Sequence, residues 1–418
     1  MGNLEAIELG LREALLKDGR RLLESLLESD ALNIPENAGR SGEKCHPERP
    51  LEVDCIFGAI HLRRNYFYDQ STGQGRAPLD QALGLVHGFS PALIRLASRA
   101  AAREGYEAAS QDLLEIAGIV IDGRQIQRLV KVAGPQIGRE LQDGRIDQAT
   151  PVPILSVEVD GTGVPMVADE LAGRKGKQPD GTAKTREAKL GAIFTQTKCD
   201  EEGLPQRDYG STTYVGRFET SEAFGRRVRH EAQRRGAGRA QQIVFLGDGA
   251  IGVWELKRVN FPGAMEILDL FHALEHLAQL CKELYPSDSW AKEMTSTWFE
   301  MLKNDEVALV MAAAQSRVAE LGLQTNESLK TQIGCFERNQ HRMLYKTCRE
   351  AGLFYGSGVV EAGCKGVIGQ RLKNSGMFWT ESGATNVLNL RCALKGNRWN
   401  ECWNRLNDSQ RLKIRPAA

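Results

Sequence analysis

Residues 241–276, QQIVFLGDGAIGVWELKRVNFPGAMEILDLFHALEH, decide the predicted fold. A short apolar run over 243–246 ends just before Asp248, and a helical pattern over 251–259 follows it. A second apolar run, over 265–270, brings in Asp269 near its end. Strand, acid, helix, strand and acid in this order are typical of an α/β protein whose chemistry lies at the strand ends.

The sequence on either side extends this pattern. Apolar runs at 154–159, 190–197 and 212–215 predict three strands before it, and a strongly basic stretch over 219–235 predicts a helix. Three strands, helix, strand, helix and strand is the element order of a ribonuclease-H-like α/β core. Residues 273–355 carry no strand pattern and are too long for a loop, so we predict that an all-α insertion interrupts this core.

The first 150 residues predict a separate region, made of a small β-hairpin and helices. An amphipathic helix over 4–29 has apolar residues mostly four apart, which favours packing against the next domain, with dimer formation as the alternative. The predicted domains are a helix and linker (1–50), a hairpin with a helical DNA-binding region (51–150), the first part of the core (151–272), the helical insertion (273–355), and C-terminal core helices with a basic tail (356–418).

Composition limits the class of protein. The 418 residues include 54 basic and 54 acidic side chains, so any attraction to nucleic acid must come from local charge. The nine cysteines are scattered without a Cys-x-x-Cys pair, which argues against a disulfide scaffold and a zinc ribbon. Neither a signal peptide nor a membrane-spanning run is present, so we expect a soluble cytoplasmic protein.

Two short helical patterns at 107–118 and 123–134 resemble a helix-turn-helix, whose second helix can enter the major groove of DNA. Any helical hairpin gives the same pattern, so helix packing alone explains it equally well. If the second helix binds DNA, its exposed polar side chains are the candidate contacts: Arg124, Gln125, Gln127, Arg128 and Lys131.

Three acids stand at predicted element ends: Asp160, Asp248 and Glu361. An Asp beside a Gly is commonly just a turn residue or a helix cap, and for a single acid that is the better interpretation. Three acids in the order that a known fold requires favour a site instead. Carboxylates on adjacent strands and one helix are suited to hold two Mg²⁺ ions for phosphoryl transfer.

Several segments resemble the ISKra family of bacterial insertion-sequence transposases, which are DDE-type enzymes with Mutator-like relatives. The resemblance covers about residues 51 to 395, and its longest words are VEVDGTGVP, KLGAIFTQT, STTYVG, FLGDGA, FPGAMEILDLFHALEHL and GSGVVEAGCKGVIGQRLKNSGMFW. It implies that Asp160, Asp248 and Glu361 form the DDE triad and bind two Mg²⁺ or Mn²⁺ ions. Related groups carry an acid or Cys separated by two residues from a His, which here matches Asp269 and His272.

The resemblance also implies the reaction. Water would cleave DNA at the element ends, and the freed 3′-hydroxyl would join target DNA, with His272 contacting a phosphate. A Cys-x-x-Cys that often follows the strand pair in this family is replaced here by 69–72, DQST, so a zinc knuckle is not expected. The partners implied are transposon terminal inverted repeats, target DNA, and further copies of the chain, at least two when assembled on DNA.

Two alternatives remain open. Residues 272–276, HALEH, match the H-x-x-E-H pattern of an inverted zinc protease, in which His272 and His276 would bind zinc and Glu275 would act as base. So short a pattern matches easily by chance, and a third ligand is not identifiable. A DNA-binding protein without catalysis is the other alternative, although all three acids are present.

Local basic stretches supply the charge that a DNA partner would need. They are the loop 173–189, the helix 226–239 and the tail 391–415, although solvated faces are the usual role of such runs. Outside the helix-turn-helix pattern, the candidate DNA contacts are Arg226, Arg227, Lys365, Arg371 and Lys373.

Overall fold

The computed structural model describes residues 3–29, 32–33, 39–143, 151–176, 178, 181–323, 326–411 and 415–416. Contacts between residues divide the chain into two compact units. The N-terminal unit comprises Met1–Leu141, Ser382–Leu394 and Arg398–Ala418, and the sheet unit comprises Gln142–Glu381 and Lys395–Asn397. Within the described part, no helix has both the length and the apolarity to cross a membrane.

The N-terminal unit combines a twisted hairpin with helices. Its elements are α1 (Leu4–Glu28), β1 (Leu32–Asn33), β2 (Glu43–Cys55), β3 (Gly58–Asp69), β4 (Gln74–Arg76), α2 (Pro78–Leu83), α3 (Pro91–Arg103), α4 (Tyr106–Ala117) and α5 (Gly123–Asp143). Strands β2, β3 and β4 form an antiparallel sheet in that order. Leu23 and Leu27 of α1 pack against the apolar side chains of this sheet, since β-strands alternate between two faces.

The sheet unit is built on a five-stranded mixed sheet. Its strands are β5 (Ile154–Pro165), β6 (Thr185–Gln196), β9 (Thr213–Arg217), β10 (Gln242–Gly247) and β11 (Met265–Leu268). A short separate ladder joins β7 (Lys198–Cys199) to β8 (Pro205–Gln206). The order across the large sheet is β11-β10-β5-β6-β9; β6 runs antiparallel to both β5 and β9, whereas β10 and β11 run parallel to β5. The mixed α/β architecture is thereby confirmed.

Helices cover both faces of the sheet. Leu155, Val157 and Val159 of β5 point to one face, where they share a core with Phe224 and Val228 of α6 (Ser221–Arg234). Ser156, Glu158 and Asp160 alternate with them and lie on the other face. On that side the sheet is approached by α13 (Gly358–Gly363), because a Cβ at Gly363 would lie 2.8 Å from a side-chain atom of Leu190. The candidate acids therefore lie on the α13 face.

Helices also follow β10 and fill the predicted insertion. They are α7 (Ile251–Asn260), α8 (Leu270–Leu284), α9 (Asp288–Lys303), α10 (Val307–Glu320), α11 (Glu327–Asn339) and α12 (Tyr345–Glu350). Beyond α13, a π-helical turn over Cys364–Gly369 leads into α14 (Gln370–Leu372), α15 (Glu381–Lys395), α16 (Trp399–Arg411) and β12 (Arg415–Pro416). The insertion is all-α in its described residues, as predicted.

Several boundaries differ from the sequence predictions. Residues 43–50, predicted as linker, lie in β2, because this largely polar stretch forms the exposed part of a strand that pairs with β3. Strand β6 begins at Thr185, inside the predicted basic loop, since it pairs with the whole of β5. Most residues after 381 belong to the N-terminal unit rather than to the sheet unit. These elements are decided by long-range pairing, which local patterns do not report.

Candidate active site

Strand β5 carries the first acid. Asp160 is half-buried on the α13 face, and its Oδ1 accepts a hydrogen bond from the N–H of Gly161 at 2.6 Å. The antiparallel register places Asp160 beside Leu190 of β6, the residue that α13 approaches. The side chain thus lies where strand β5 meets the helix that bears Glu361.

Strand β10 ends one residue before the second acid. β10 pairs in parallel with β5, so the carboxyl ends of both strands lie at the same edge of the sheet. Asp248 is half-buried, and its Oδ1 accepts the N–H of Ala250 at 3.0 Å. Gly249 has a φ of +88°, which lets the chain turn sharply into α7. This turn leaves the Asp248 carboxylate at the sheet edge.

The third acid lies on α13. Glu361 is half-buried, and its Oε1 accepts a hydrogen bond from Ser357 Oγ at 2.8 Å. Gly363, two residues on, has no side chain to separate the helix from Leu190 and Tyr214 of the sheet. A small residue at this position therefore allows α13 to lie close to β6.

The charges of the other two acids affect the pKa of Asp160. Burial raises the pKa of Asp160 above its ordinary value, and the negative charges of Asp248 and Glu361 raise it further. Hydrogen bonds from Gly161 and from the Cys364 thiol act in the opposite direction. Burial and the neighbouring Asp160 also raise the pKa of the Cys364 thiol, so this cysteine stays protonated as a donor. Asp248 and Glu361 thus both lie within electrostatic reach of Asp160.

A buried glutamate beside these acids was not identified from the sequence. Glu158 is 0 % exposed, and its Oε2 accepts the N–H of Val360 at 2.7 Å. Burial raises the pKa of Glu158 to about 8, with Asp269 and Glu361 contributing repulsion. The sequence did contain a signal for this residue, because it is a charged residue inside the apolar run ILSVEV. The alternation of side chains along a strand places it on the same face as Asp160.

His272 lies in the first turn of α8. Its backbone N–H donates to Asp269 Oδ2 at 3.0 Å, and its half-buried ring lies 3.7 Å from Glu275. The ring also contacts His276 edge to face, with centroids 4.9 Å apart. His276 Nδ1 is engaged by Gln332. The HALEH residues therefore interact with each other and with α11.

A metal site made only of protein side chains needs several ligating residues close together. No group of three or more His, Cys, Asp or Glu side chains there is arranged to hold a metal ion. This finding applies to the HALEH residues, which have no third ligand in the described part of the chain, and equally to Asp160, Asp248 and Glu361, which do not form such a group either. The three acids supply carboxylate oxygens, the donors that Mg²⁺ and Mn²⁺ prefer, and Mg²⁺ commonly takes only one or two of them together with water and phosphate.

The candidate DNA contacts on α5 are mostly exposed. Arg124, Arg128 and Lys131 point to solvent along one side of this helix. Gln125 is half-buried, and it exchanges hydrogen bonds with Asp122 at 2.8 and 3.0 Å in a capping arrangement. The helices α4 and α5 form as the helix-turn-helix pattern predicts, whereas their DNA-binding role stays a prediction.

The other candidates differ widely in exposure. Arg226 is exposed and paired with Glu222, and the half-buried Arg227 is paired with Glu219. Lys365 and Lys373 are both exposed. The Lys373 ammonium group contacts the hydroxyl of Thr162, two residues beyond Asp160 on β5. Positive charge is therefore present beside the acids.

Arg371 corrects the sequence prediction. Its side chain is 0 % exposed, and its guanidinium lies over the ring of Trp379 with 5.1 Å to the ring centroid. A buried guanidinium is not available to a phosphate, so Arg371 is a packing residue. In the basic tail, Arg391 and Arg398 are likewise buried, and each donates to a backbone carbonyl of the N-terminal unit. Part of the loop 173–189 and of the tail lies outside the described residues.

Comparisons with known proteins add little beyond this geometry. Neither a protein-family model nor a curated protein matches the chain. Among solved structures, the chain is similar to one described as "Drosophila P element transposase strand transfer complex", at 11% identity over 78% of this chain and 82% of that chain, with a TM-score of 0.27. The function of the chain is therefore inferred from its own residues.

Proposed function

We propose that the chain is a DDE-type transposase that cleaves DNA at transposon ends and transfers the freed 3′-hydroxyl into target DNA. The supporting observation is geometric: the parallel register pairs Leu246 with Glu158, two residues before Asp248 and Asp160, and Gly363, two residues after Glu361, lies against Leu190, the partner of Asp160. In keeping with this arrangement, the charges of Asp248 and Glu361 raise the pKa of Asp160. A set of clustered acids on neighbouring elements is characteristic of a functional site rather than of three independent turns.

The topology supports a ribonuclease-H-like core. Three antiparallel strands are followed by two strands parallel to the first, and β5 lies in the centre of the sheet. The parallel register puts the end of β10 beside the middle of β5, where Asp160 lies, and α13 packs on β5 and β6. The proposed family needs its acids at these three places.

The donor set fits Mg²⁺ or Mn²⁺. Asp160, Asp248 and Glu361 would hold the ions. Such ions, when bound, make water a better nucleophile and stabilise the leaving oxygen. The mutual repulsion of the three carboxylates is what a cation would relieve, and substrate phosphate and water would complete its coordination.

The proposed reaction has two steps. In the first step a water oxygen attacks phosphorus, the P–O3′ bond breaks, and the 3′-oxygen leaves as a hydroxyl. In the second, that hydroxyl attacks a target phosphorus, loses its proton, and displaces the target's own 3′-oxygen. His272 and Lys373 would contact phosphate oxygens near the scissile bond, and Ser357 would orient Glu361 through its hydrogen bond. No Ser or Tyr nucleophile takes part.

The test is cleavage of DNA that carries the sequences flanking the gene, with and without Mg²⁺ or Mn²⁺. Asp160→Asn, Asp248→Asn and Glu361→Gln should each lower the rate by more than roughly 100-fold and leave DNA affinity intact. Full cleavage by Asp248→Asn would refute the proposed triad. A second readout is metal-induced thermal stabilisation, which the Asp160→Asn protein should lose.

Glu275→Gln is the matched control. It removes an acid three residues from His272 that the proposed reaction does not use, so DNA cleavage should persist. A zinc peptidase using the HALEH residues would instead lose activity in this variant and keep tightly bound zinc. A catalytically silent DNA-binding protein would bind the DNA ends but cut none of them at any metal concentration.

A further inference from the structure

Strand β5 contains a buried charged residue within an otherwise largely apolar segment. Ser156, Glu158 and Asp160 share a face, and Glu158 is as buried as the leucines and valines beside it. Burying a carboxyl group is costly unless its hydrogen bonds are satisfied. Glu158 Oε1 has no hydrogen-bond partner among the described residues, so the site meets that requirement only in part.

The other oxygen of Glu158 reaches the segment that carries Glu361. Oε2 accepts the N–H of Val360 at 2.7 Å, across 202 residues of chain. This N–H lies in the first turn of α13, where backbone donors have no partner within the helix. The bond therefore joins the strand of Asp160 directly to the residue preceding Glu361.

A second hydrogen bond holds the same segment from another side. Ser357 N–H donates to Asp269 Oδ1 at 2.8 Å, and Ser357 Oγ donates to Glu361. Segment 357–361 is thus fixed at two points, by carboxylates from β5 and from the end of β11. Both contacts act on the backbone from which the Glu361 side chain projects.

We propose that Glu158 is a positioning residue, whose buried carboxyl fixes the start of α13 so that Glu361 faces Asp160. The inference rests on the proposed function for its catalytic consequence. Its structural part, the anchoring of 358–363 by Glu158, stands separately. A leucine at 158 would fill similar volume but offer no acceptor to Val360, whereas glutamine would keep one.

The test compares Glu158→Leu with Glu158→Gln, and Ser156→Ala serves as control because Ser156 is equally buried on the same face. Hydrogen exchange of the peptide covering 358–363 should speed up in Glu158→Leu and stay unchanged in the other two. Cleavage per folded molecule by Glu158→Leu should fall about 10- to 100-fold and need more Mg²⁺ for half-maximal rate, with DNA affinity retained. Glu158→Gln should recover most of this loss.

Two outcomes would overturn the proposal. One is unchanged hydrogen exchange at 358–363 in Glu158→Leu. The other is a loss of activity that only matches a loss of folded protein and that glutamine fails to rescue. If the wild-type protein cuts no DNA, the proposed function fails, while the exchange measurement still decides whether Glu158 anchors α13.

A different observation concerns α1, which has an apolar stripe that faces solvent. Its members are 46–72 % exposed and lie within a band roughly 100° wide at 3.6 residues per turn: Leu4, Ile7, Leu11, Leu15, Leu22 and Leu26. Residues 3–11 are all exposed, so the first two turns of the helix have no covering element among the described residues. The apolar stripe therefore remains in contact with water over this part of α1.

The outer members of the stripe are spaced nearly symmetrically about Leu15, whereas Leu11 has Gly19 as its counterpart. Leu4 and Leu26 each lie eleven residues from Leu15, and Ile7 and Leu22 lie at nearly equal distances from it. An antiparallel pair of α1 helices with a two-fold axis at Leu15 would place Leu4 beside Leu26 of the second copy. Such an isologous contact is the commonest kind in homodimers.

We infer that this stripe, from Leu4 to Leu26, is an interface with a second copy of the chain. Twelve aliphatic side chains from two helices would remove on the order of 1,000 Å² from water, about what a stable interface needs. The inference is independent of catalysis, because pairing through α1 requires no DNA. It extends the proposed function, since joining two DNA ends calls for two copies.

The test is the molar mass of the DNA-free protein at tens of micromolar. Wild type should be a dimer and Leu15→Arg a monomer. Leu309→Arg, on α10 and 58 % exposed, should stay dimeric as the matched control. In a protein lacking the exposed Cys45 and Cys199, Leu15→Cys should form a disulfide with its own copy, and Leu4→Cys should not.

A monomeric wild-type protein would overturn this inference, as would a Leu15→Arg protein that remains dimeric. Rapid self-crosslinking of Leu4→Cys would show a parallel pair and overturn the antiparallel arrangement. Each result is obtained without a cleavage assay, so none depends on the proposed function.

Discussion

The buried carboxylate of Asp269 accepts a hydrogen bond from the backbone N–H of Ser357 at 2.8 Å, across 88 residues of chain. Its other oxygen accepts the N–H of His272, and its own N–H donates to Gly247 O at 2.9 Å. One side chain and its backbone therefore connect β10, α8 and the segment before α13. The elements that carry the second and third acids are linked through this residue.

Replacing Asp269 should destabilise the protein more than the loss of an ordinary helix cap. Asp269→Ala removes acceptors for two buried N–H groups, so the free energy of unfolding should fall by about 2–4 kcal/mol, measured by urea denaturation. Asn326→Ala is the control, because Asn326 caps α11 without reaching another segment. That variant should lose only about 1 kcal/mol. Equal losses in the two variants would contradict the linking role.

A second prediction concerns the charge cluster at Glu266 on β11. Burial raises the pKa of Glu266, but hydrogen bonds from Lys257 on α7 and from Arg342 outweigh it and lower the pKa below 4.5. His341 lies 3.6 Å from the same carboxylate. A lowered pKa means that the stabilisation is complete above about pH 4.5 and is lost as the pH falls through the folded-state pKa.

Glu266→Gln should therefore cost roughly 1–2 kcal/mol at pH 7, because the side chain is 22 % exposed and its hydrogen bonds are partly screened. The difference from wild type should shrink as unfolding is measured from pH 5 down to pH 3. Glu255→Gln is the control, since Glu255 pairs with Arg258 on an exposed surface and its loss should matter little at any pH. If the difference in the free energy of unfolding between wild type and Glu266→Gln stayed constant down to pH 3, this prediction would be contradicted.

Close packing of α5 against α15 gives a third prediction. A Cβ at Gly134 would lie 2.7 Å from the Cα of Asn386, and the backbone there has little room to move. Gly134→Ala should thus destabilise the N-terminal unit by about 1–3 kcal/mol. Gly252 in α7 has nothing within 4 Å of its added Cβ, so Gly252→Ala should stabilise by about 0.5–1 kcal/mol. In thermal unfolding, the melting temperature should be lower than that of the wild-type protein for Gly134→Ala and higher for Gly252→Ala.

The exposed basic residues of α5 lead to a fourth prediction. If Arg128 and Lys131 contact DNA phosphates, replacing both with Ala should weaken binding of every DNA sequence similarly. The slope of log affinity against log salt should fall by roughly one unit for each phosphate that is no longer neutralised. Lys330→Ala, which removes an exposed lysine paired with Glu327, should leave the slope unchanged. An unchanged slope in the double variant would exclude α5 from the DNA interface.

Much of the sheet unit could be predicted from local patterns. Apolar runs marked β5, β10 and β11, and their order with α6 and α7 gave the α/β architecture. Asp160 and Asp248 were identifiable because each follows such a run and is adjacent to glycine. These features are local, since strand and turn propensities depend on neighbouring residues.

Side-chain environment could not be predicted in the same way. Arg371 and Lys373 lie two residues apart in one basic stretch, yet the first is buried against Trp379 and the second is exposed beside Thr162. The strand over 43–50 was missed because its polar sequence resembles a linker until its partner β3 is known. Burial depends on packing partners that are distant in the chain.

The sequence by itself determined the type and order of the elements and the positions of three candidate acids, because periodicity and turn chemistry are short-range properties. Only the tertiary structure decided that Glu158 and Asp269 hold the segment of Glu361, and which basic residues can reach a phosphate. These contacts depend on the register of β5 with β10 and β6 and on the packing of α13 against the sheet. The residues that form them are far apart in the chain, so a short stretch of sequence does not contain both partners.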